Sequence, residues 1–160
     1  MEKTFLRDIN DNQGIIIKVC RIYCSDQADF EDLFQEIVLQ LWKSYARFNG
    51  LSKVSTWMYR VALNTAITGL RRKKRRPDSN RLTVAEHRVP SIDHPRIDVE
   101  YHQQLQGAID ALNKFDRALM LLYLDEKSYK EMAEIMGITE SNIGVKINRI
   151  KNKLKTMLNP

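Results

Sequence analysis

Between Phe30 and Trp42, apolar residues recur at Phe30, Leu33, Phe34, Ile37, Val38, Leu41 and Trp42, in alternating steps of three and one. That spacing lines one stripe of an α-helix, so this stretch predicts a long amphipathic helix. Upstream, Ile15 to Tyr23 is dense with apolar residues and predicts a helix packed against it. Downstream, Trp57, Val61, Ala62, Leu63, Ile67 and Leu70 predict another, running from about Ser55 into the basic run Arg71–Arg76. No segment alternates with a period of two over a useful length, so no strands are expected and the fold class is all-α.

The helical pattern breaks at residues 77–100, which hold Pro77, Pro90 and Pro95 among scattered Ser, Asp and His. A structureless stretch of about 20–25 residues inside one compact domain is unusual, so it is read as a flexible linker. The expected organisation is a helical domain over 1–76, the linker over 77–100 and a second helical domain over 101–160. Domains this small are marginal alone and often gain stability from a partner.

In the second domain Leu105, Ile109 and Leu112, then Leu119, Leu122 and Tyr123, outline two helices. SYKEMAEIMGITESNIGVKINRIKNKL follows. Ser128 with Glu131 forms a capping-box start, and Met132, Ala133 and Ile135 point inward from a short helix. Gly137 can take the left-handed conformation that ends it. Thr139 caps the next helix, expected to run to about Lys155 with Ile143, Ile147, Ile150 and Leu154 inside. A short helix, a tight turn and a longer basic helix make a helix-turn-helix. Such a helix fits the major groove. Its exposed Ser141, Asn142, Val145, Asn148 and Arg149 would meet base edges, and Lys146, Lys151 and Lys153 would meet phosphates. The bland alternative is a helical hairpin with a solvated basic face.

Charge is unevenly distributed. Residues 1–70 carry eight Lys/Arg and eight Asp/Glu, whereas Arg71–Arg76 adds six positive charges at once. A helix end favours two or three cations through its dipole, but not six, so a polyanion contact is indicated. With Ser55, Thr56, Trp57 and Tyr59 upstream, the segment suits duplex backbone and unstacked strands alike. Trp57 is also expected to be at least partly buried. Asp29, Glu31, Asp32 and Glu36 sit near the start of the long amphipathic helix. They complement its dipole or form a docking face for a basic partner.

Other classes find little support. No apolar run approaches the roughly 20 residues that cross a bilayer, and the N-terminus lacks a signal-peptide core. A soluble intracellular protein, not itself membrane-embedded, is expected. Cys20 and Cys24 read as small core residues; a metal pair would need further ligands. His87, His94 and His102 lie in or beside the linker without ligand spacing. No catalytic constellation, metal or cofactor is expected.

Three segments in order carry a family resemblance. DFEDLFQEIVLQLWKSYARF resembles the region-two helix of the bacterial sigma factors of the extracytoplasmic-function (ECF) group, in the sigma-70 family. STWMYRVALNTAITGLRRKKRR resembles that family's T-W-L-Y-R-I-A-x-N segment, and SYKEMAEIMGITESNIGVKINRIKNKLK its region-four helix-turn-helix. The resemblance implies a cytoplasmic, non-enzymatic sigma factor. It would bind core RNA polymerase and direct promoter-specific initiation by recognising and helping to open minus-ten and minus-thirty-five elements. Asp29, Glu31, Asp32, Gln35 and Glu36 would dock the beta-prime clamp helices. The loop from Asn49 to Ser55, with Gly50, Ser52 and Lys53, would capture a flipped base of the minus-ten element. Asn64 would help to read that element, with Arg60, Arg71 and Arg72 steadying the backbone. Ser141, Asn142, Lys146, Asn148, Arg149, Lys151 and Lys153 would serve the minus-thirty-five element. The beta flap and an anti-sigma factor are further implied partners.

Two positions depart from the family pattern. Gly144 and Val145 stand where many members carry a basic residue and a Ser, which shifts weight to Lys146, Asn148 and Arg149. A glycine inside a helix costs about 1 kcal/mol relative to Ala, so close approach or relaxed helix demands are expected at Gly144. Met58 stands where other sigma classes carry a second Trp, which implies limited melting power. The competing readings are a stand-alone dimeric helix-turn-helix regulator, a nucleic-acid enzyme and a helical adaptor. The acidic helix argues against the first, the missing metal–carboxylate cluster against the second and the basic helix against the third.

Overall fold

The computed structural model describes residues 2–75 and 99–159. These form eight helices, and no strand occurs among the described residues. They fall into two units, with the division inside residues 76–98. The expected linker lies outside the described residues except at its end, where Val99 and Glu100 already belong to a helix.

Unit 1 contains α1 (Glu2–Asp11), α2 (Gln13–Tyr23), α3 (Gln27–Tyr45) and α4 (Val54–Arg75). Helix α3 begins on Asp26, whose carboxylate accepts the Asp29 N–H at 2.7 Å. Ile37 and Leu41 are fully buried at the centre of its stripe. Helix α4 packs on both α2 and α3, which also pack on each other. It buries Thr56, Met58, Tyr59, Ala62, Leu63 and Ala66, and α2 contributes Ile16, Val19 and Cys20 to the core. Ala62 and Ala66 are one turn apart, so that face of α4 carries little bulk.

Helix α1 was not expected from the apolar pattern. It buries Phe5 and Ile9, four residues apart on one face. Trp42, expected on the inner stripe of α3, is 45% exposed. Its ring meets Phe5 edge-on at 5.0 Å between centroids, so it covers α1 from outside instead of filling the core.

Unit 2 contains α5 (Val99–Asp110), α6 (Lys114–Leu124), α7 (Tyr129–Met136) and α8 (Glu140–Leu158). Each of the last three starts on a side-chain cap. Asn113 accepts from Asp116 N–H at 2.8 Å, Ser128 from Glu131 N–H at 3.1 Å and Thr139 from Asn142 N–H at 3.2 Å. Such caps are worth about 1 kcal/mol each. The Ser128 hydroxyl also donates to the Glu131 carboxylate at 3.3 Å. Gly137 ends α7 at φ 72°, the left-handed conformation expected of it. Arg117 closes the turn before α6, its Nε donating to Leu112 O at 3.0 Å and its Nη2 to Asp110 O at 2.6 Å. The predicted inner residues Ile143, Ile147, Ile150 and Leu154 are buried, and α8 runs to Leu158, beyond the expected Lys155.

Neither cysteine is in a disulfide; Cys20 is buried and Cys24 half-buried at the end of α2. Burial, followed by the neighbouring Cys24, pushes the Cys20 thiol from 9.0 up to about 12. An unfolded chain releases that proton near the ordinary value. This contribution to stability is therefore complete below about pH 9 and is lost as pH rises towards about 12. Iodoacetamide at pH 8 should alkylate Cys24 ahead of Cys20, and guanidinium should abolish the difference. Peptide mass mapping reads both; equal labelling of the folded chain would contradict this packing.

Candidate nucleic-acid and partner interfaces

The acidic residues of α3 occupy two different situations. Asp29 is half-buried in the first turn, where the helix dipole accounts for it. Glu31, Asp32 and Gln35 are exposed, and Glu36 is half-buried. Glu31 accepts from Gln27 Nε2 at 3.0 Å and Glu36 from Gln40 Nε2 at 2.9 Å, which hold both carboxylates along the helix surface. Asp32 and Gln35 lie beyond the first turn, so the dipole does not explain them. Leu39, 44% exposed, and Trp42 continue the same stripe at helical spacing. Leu39 stands outside the three–one apolar spacing, so the pattern gives it no place.

The other end of unit 1 is basic. From Ile37 to Pro77 the chain has ten Lys/Arg and no Asp/Glu, while residues 1–36 hold eight acids and four bases. The balance over residues 1–70 conceals this separation. Within the basic part, rings fix the connection between α3 and α4. Phe5 meets Tyr45 edge-on at 5.1 Å, Tyr45 meets Trp57 at 5.9 Å and Trp57 stacks on Phe48 at 4.9 Å. The Tyr45 hydroxyl donates to Asp8 at 2.9 Å, which holds its phenol above the ordinary range. Trp57 is thus half-buried, as expected.

Beyond this anchor the chain turns. Asn49 Oδ1 accepts the Leu51 N–H at 3.2 Å, and Gly50 has φ 74°. Asn49, Gly50 and Lys53 are exposed and Ser52 is half-buried. Leu51, inside the expected loop but not singled out there, is 89% exposed. Arg60 and Asn64 are exposed one turn apart on α4. Asn64 shares an open polar groove of about 330 Å³ with Glu36, Gln40 and Thr68, so expected polymerase and DNA residues meet there. Arg71 and Arg72 are in α4, but their side chains lie outside the described residues. Met58 is fully buried, so it presents no surface where a second Trp was considered.

On α8, Ser141, Asn142, Val145, Asn148 and Arg149 are exposed together, as the helix-turn-helix reading requires. The lysines differ among themselves. Lys146 is half-buried with Nζ 5.3 Å from the Phe115 ring centre. Lys151 Nζ lies 4.3 Å from the Tyr123 ring centre, and a hydrogen bond with Tyr123 holds its ammonium above the ordinary range. Both therefore flank the buried stripe, whereas Lys153 is simply exposed. Gly144 faces Tyr129: a Cβ there would meet Tyr129 Cε2 at 3.6 Å, an ordinary contact. Close packing within the unit therefore does not demand this glycine.

Two apolar grooves accompany these faces. One of about 320 Å³ in unit 1 is lined by Ile17, Arg21, Phe30 and Phe34, whose two rings stack at 6.4 Å. One of about 450 Å³ in unit 2 is lined by Leu105, Ile109, Met120, Leu124 and Leu154, with Lys151 and Lys155 at its rim. Among the described residues, no group of three or more His, Cys, Asp and Glu could hold a metal ion. No described helix is long and apolar enough to cross a membrane.

Comparison with known proteins agrees with this geometry. Residues 9–76 match the family model of sigma-70 region 2, and residues 102–154 that of sigma-70 region 4. The ECF sigma factor SigM of Bacillus subtilis is 30% identical over 135 residues, spanning 81% of this chain and 79% of SigM. The sigma-H factor of Pseudomonas aeruginosa is 26% identical over 161 residues, spanning 92% and 80%. In fold, the chain is similar to the sigma factor RpoE of Bartonella quintana, solved with the anti-sigma factor NepR. The TM-score is 0.67 at 20% identity, covering 98% of this chain and 95% of that one. The chain belongs to the ECF group of the sigma-70 family and is a promoter-recognising transcription initiation factor.

Replacing Gly144 by Ala should stabilise unit 2 by about 0.5–1 kcal/mol, because the helix gains and Tyr129 tolerates the methyl. Slower hydrogen exchange of the α8 amides in the full chain would report it. Faster exchange would mean that the glycine is needed for packing after all.

Proposed function

We propose that the two units divide the promoter between them while the α3 stripe holds the polymerase. Asp32 and Gln35, with Asp29, Glu31 and Glu36 beside them and Leu39 and Trp42 beyond, dock the beta-prime clamp helices. Asn49, Gly50, Ser52 and Lys53 take a flipped base of the minus-ten element. Asn64 reads beside them, and Arg60, Arg71 and Arg72 hold phosphates. On α8, Ser141, Asn142, Asn148 and Arg149 face the minus-thirty-five element, while Lys146, Lys151 and Lys153 supply cationic grip. The apolar groove of unit 2, with its lysine rim, receives the beta flap.

One observation carries this assignment: every acid of residues 1–77 lies within residues 1–36, and the ten cations from Ile37 to Pro77 follow with no acid among them. A basic protein surface and a phosphate backbone can therefore be engaged at once without opposing one another. The domains are assigned as 1–76, a tether over 77–100 and 101–160. Two weak readers on one tether gain avidity when the polymerase fixes their spacing. The chain contributes recognition and base extrusion, and the polymerase performs the catalysis, in the cytoplasm. The solved relatives include RpoE with NepR and CnrH with the cytosolic domain of CnrY. An anti-sigma factor that covers the same surfaces is a fitting partner here too.

Run-off transcription with core polymerase over a genomic promoter library tests the reading. The chain should direct specific transcripts that core alone does not make. Asp32→Arg should weaken core association about tenfold or more, since a like charge now faces the basic partner. Arg149→Ala should cost ~1–3 kcal/mol and relax preference at one upstream base pair. Lys153→Ala should instead lower the salt dependence by about one phosphate contact and leave the preference unchanged. Core binding indifferent to Asp32 would refute the docking assignment.

A further inference from the structure

We propose that Phe115 and Tyr123 are positioning residues that hold Lys146 and Lys151 apart, one for each of the two phosphate strands that border the major groove. The inference rests on reading α8 as the helix that enters that groove.

Direction around α8 comes from its core. Ile143, Ile147, Ile150 and Leu154 are buried and mark the inward stripe. At 3.6 residues per turn, Lys146 and Lys151 stand about 140° apart, roughly 70° to either side of that stripe. They therefore occupy opposite flanks. The exposed Ser141, Val145, Asn148 and Asn152 lie between them on the outward side. A helix in the major groove runs between two sugar–phosphate strands, so its flanks face different strands.

Each flank has its own ring, and both rings come from α6. Lys146 Nζ lies 5.3 Å from the Phe115 ring centre, and Lys151 Nζ 4.3 Å from that of Tyr123. Both fall within the ~6 Å reach of a cation–ring attraction. Lys151 also shares a hydrogen bond with Tyr123. Helix α6 packs on α8, and to serve both flanks it passes beneath from one to the other. Phe115 and Tyr123 are eight residues apart in sequence. That is about 12 Å along α6, close to the width of the major groove.

A ring covers only one side of an ammonium group, which carries three donors. The others stay open to a phosphate oxygen; Lys151 is exposed and Lys146 half-buried. An unsupported lysine loses much freedom when it meets DNA, and one already seated loses less. The rings thus strengthen binding without touching DNA and without informing the choice of sequence.

The test measures the affinity of holoenzyme, preassembled from core polymerase and the full chain, for a promoter duplex with both elements. Phe115→Leu should weaken binding about threefold, and should change nothing further in a Lys146→Ala background. Tyr123→Leu should behave in the same way towards Lys151→Ala. Phe115→Tyr and Tyr123→Phe keep a ring and should retain most of the affinity. Neutral methylphosphonates are then placed in the minus-thirty-five element, one strand at a time. The loss caused by Lys146→Ala should disappear with one modified strand, and that caused by Lys151→Ala with the other. Leucine variants that bind as tightly as wild type, or more tightly, would overturn the positioning role. So would a loss that persists without the lysine, or that the ring-keeping variants share, since either marks a side chain serving the fold alone. Both lysine losses disappearing on the same strand would overturn the division between strands. A wild-type holoenzyme indifferent to the sequence of the minus-thirty-five element would instead refute the reading of α8, and the proposal with it.

Discussion

Rings in mutual contact, Trp42, Phe5, Tyr45, Trp57 and Phe48, bind α1, the end of α3 and the start of α4 into one body. Each such pair adds about 0.5–1.5 kcal/mol beyond the area it buries. The connection they brace, residues 46–53, lacks regular helix and would otherwise cost ~1–2 kcal/mol per residue to order. With Phe48 and Trp57 fixed, only a short turn around Gly50 is left to define, and Asn49 defines it with one hydrogen bond. The geometry of this exposed turn thus descends from ring packing several residues away, part of it supplied by Phe5 of α1.

Most of the fold was legible because period and caps agree. The apolar stripe of α3, the switch at Gly137 and the caps at Ser128 and Thr139 are local signals, and the fold contains each of them. Helix α1 escaped because only Phe5 and Ile9 turn inward, too few for a periodic pattern amid charged neighbours. Trp42 was misassigned for a related reason: helical spacing places a residue on a stripe but does not tell its edge from its centre. The edge became a seat for α1, which the spacing could not reveal.

Site residues were legible by type more readily than by environment. The exposed polar set on α8 follows from the inward isoleucines and needs no structure. Leu51 and Leu39 do not, since an apolar residue outside a pattern carries no address until its exposure is known. Averaging charge over residues 1–70 hid a division that falls within α3, where acids give way to cations after Glu36. A running count along the chain would have exposed it. The Phe115 and Tyr123 rings beside Lys146 and Lys151 come from α6, far away in sequence, and no local rule anticipates them.

Those two lysines leave a distinctive surface behind. With their ammonium groups drawn against α6, the exposed surface of α8 sets the short Ser141, Val145, Asn148 and Asn152 beside the longer arms of Arg149, Lys153 and Lys155. On the proposed reading, the short side chains bear on choice among sequences and the lysines on attraction to the double helix, with Arg149 serving both. A lineage can exchange one short residue for another and redirect the protein to new genes, while its general hold on the chromosome stays as it was.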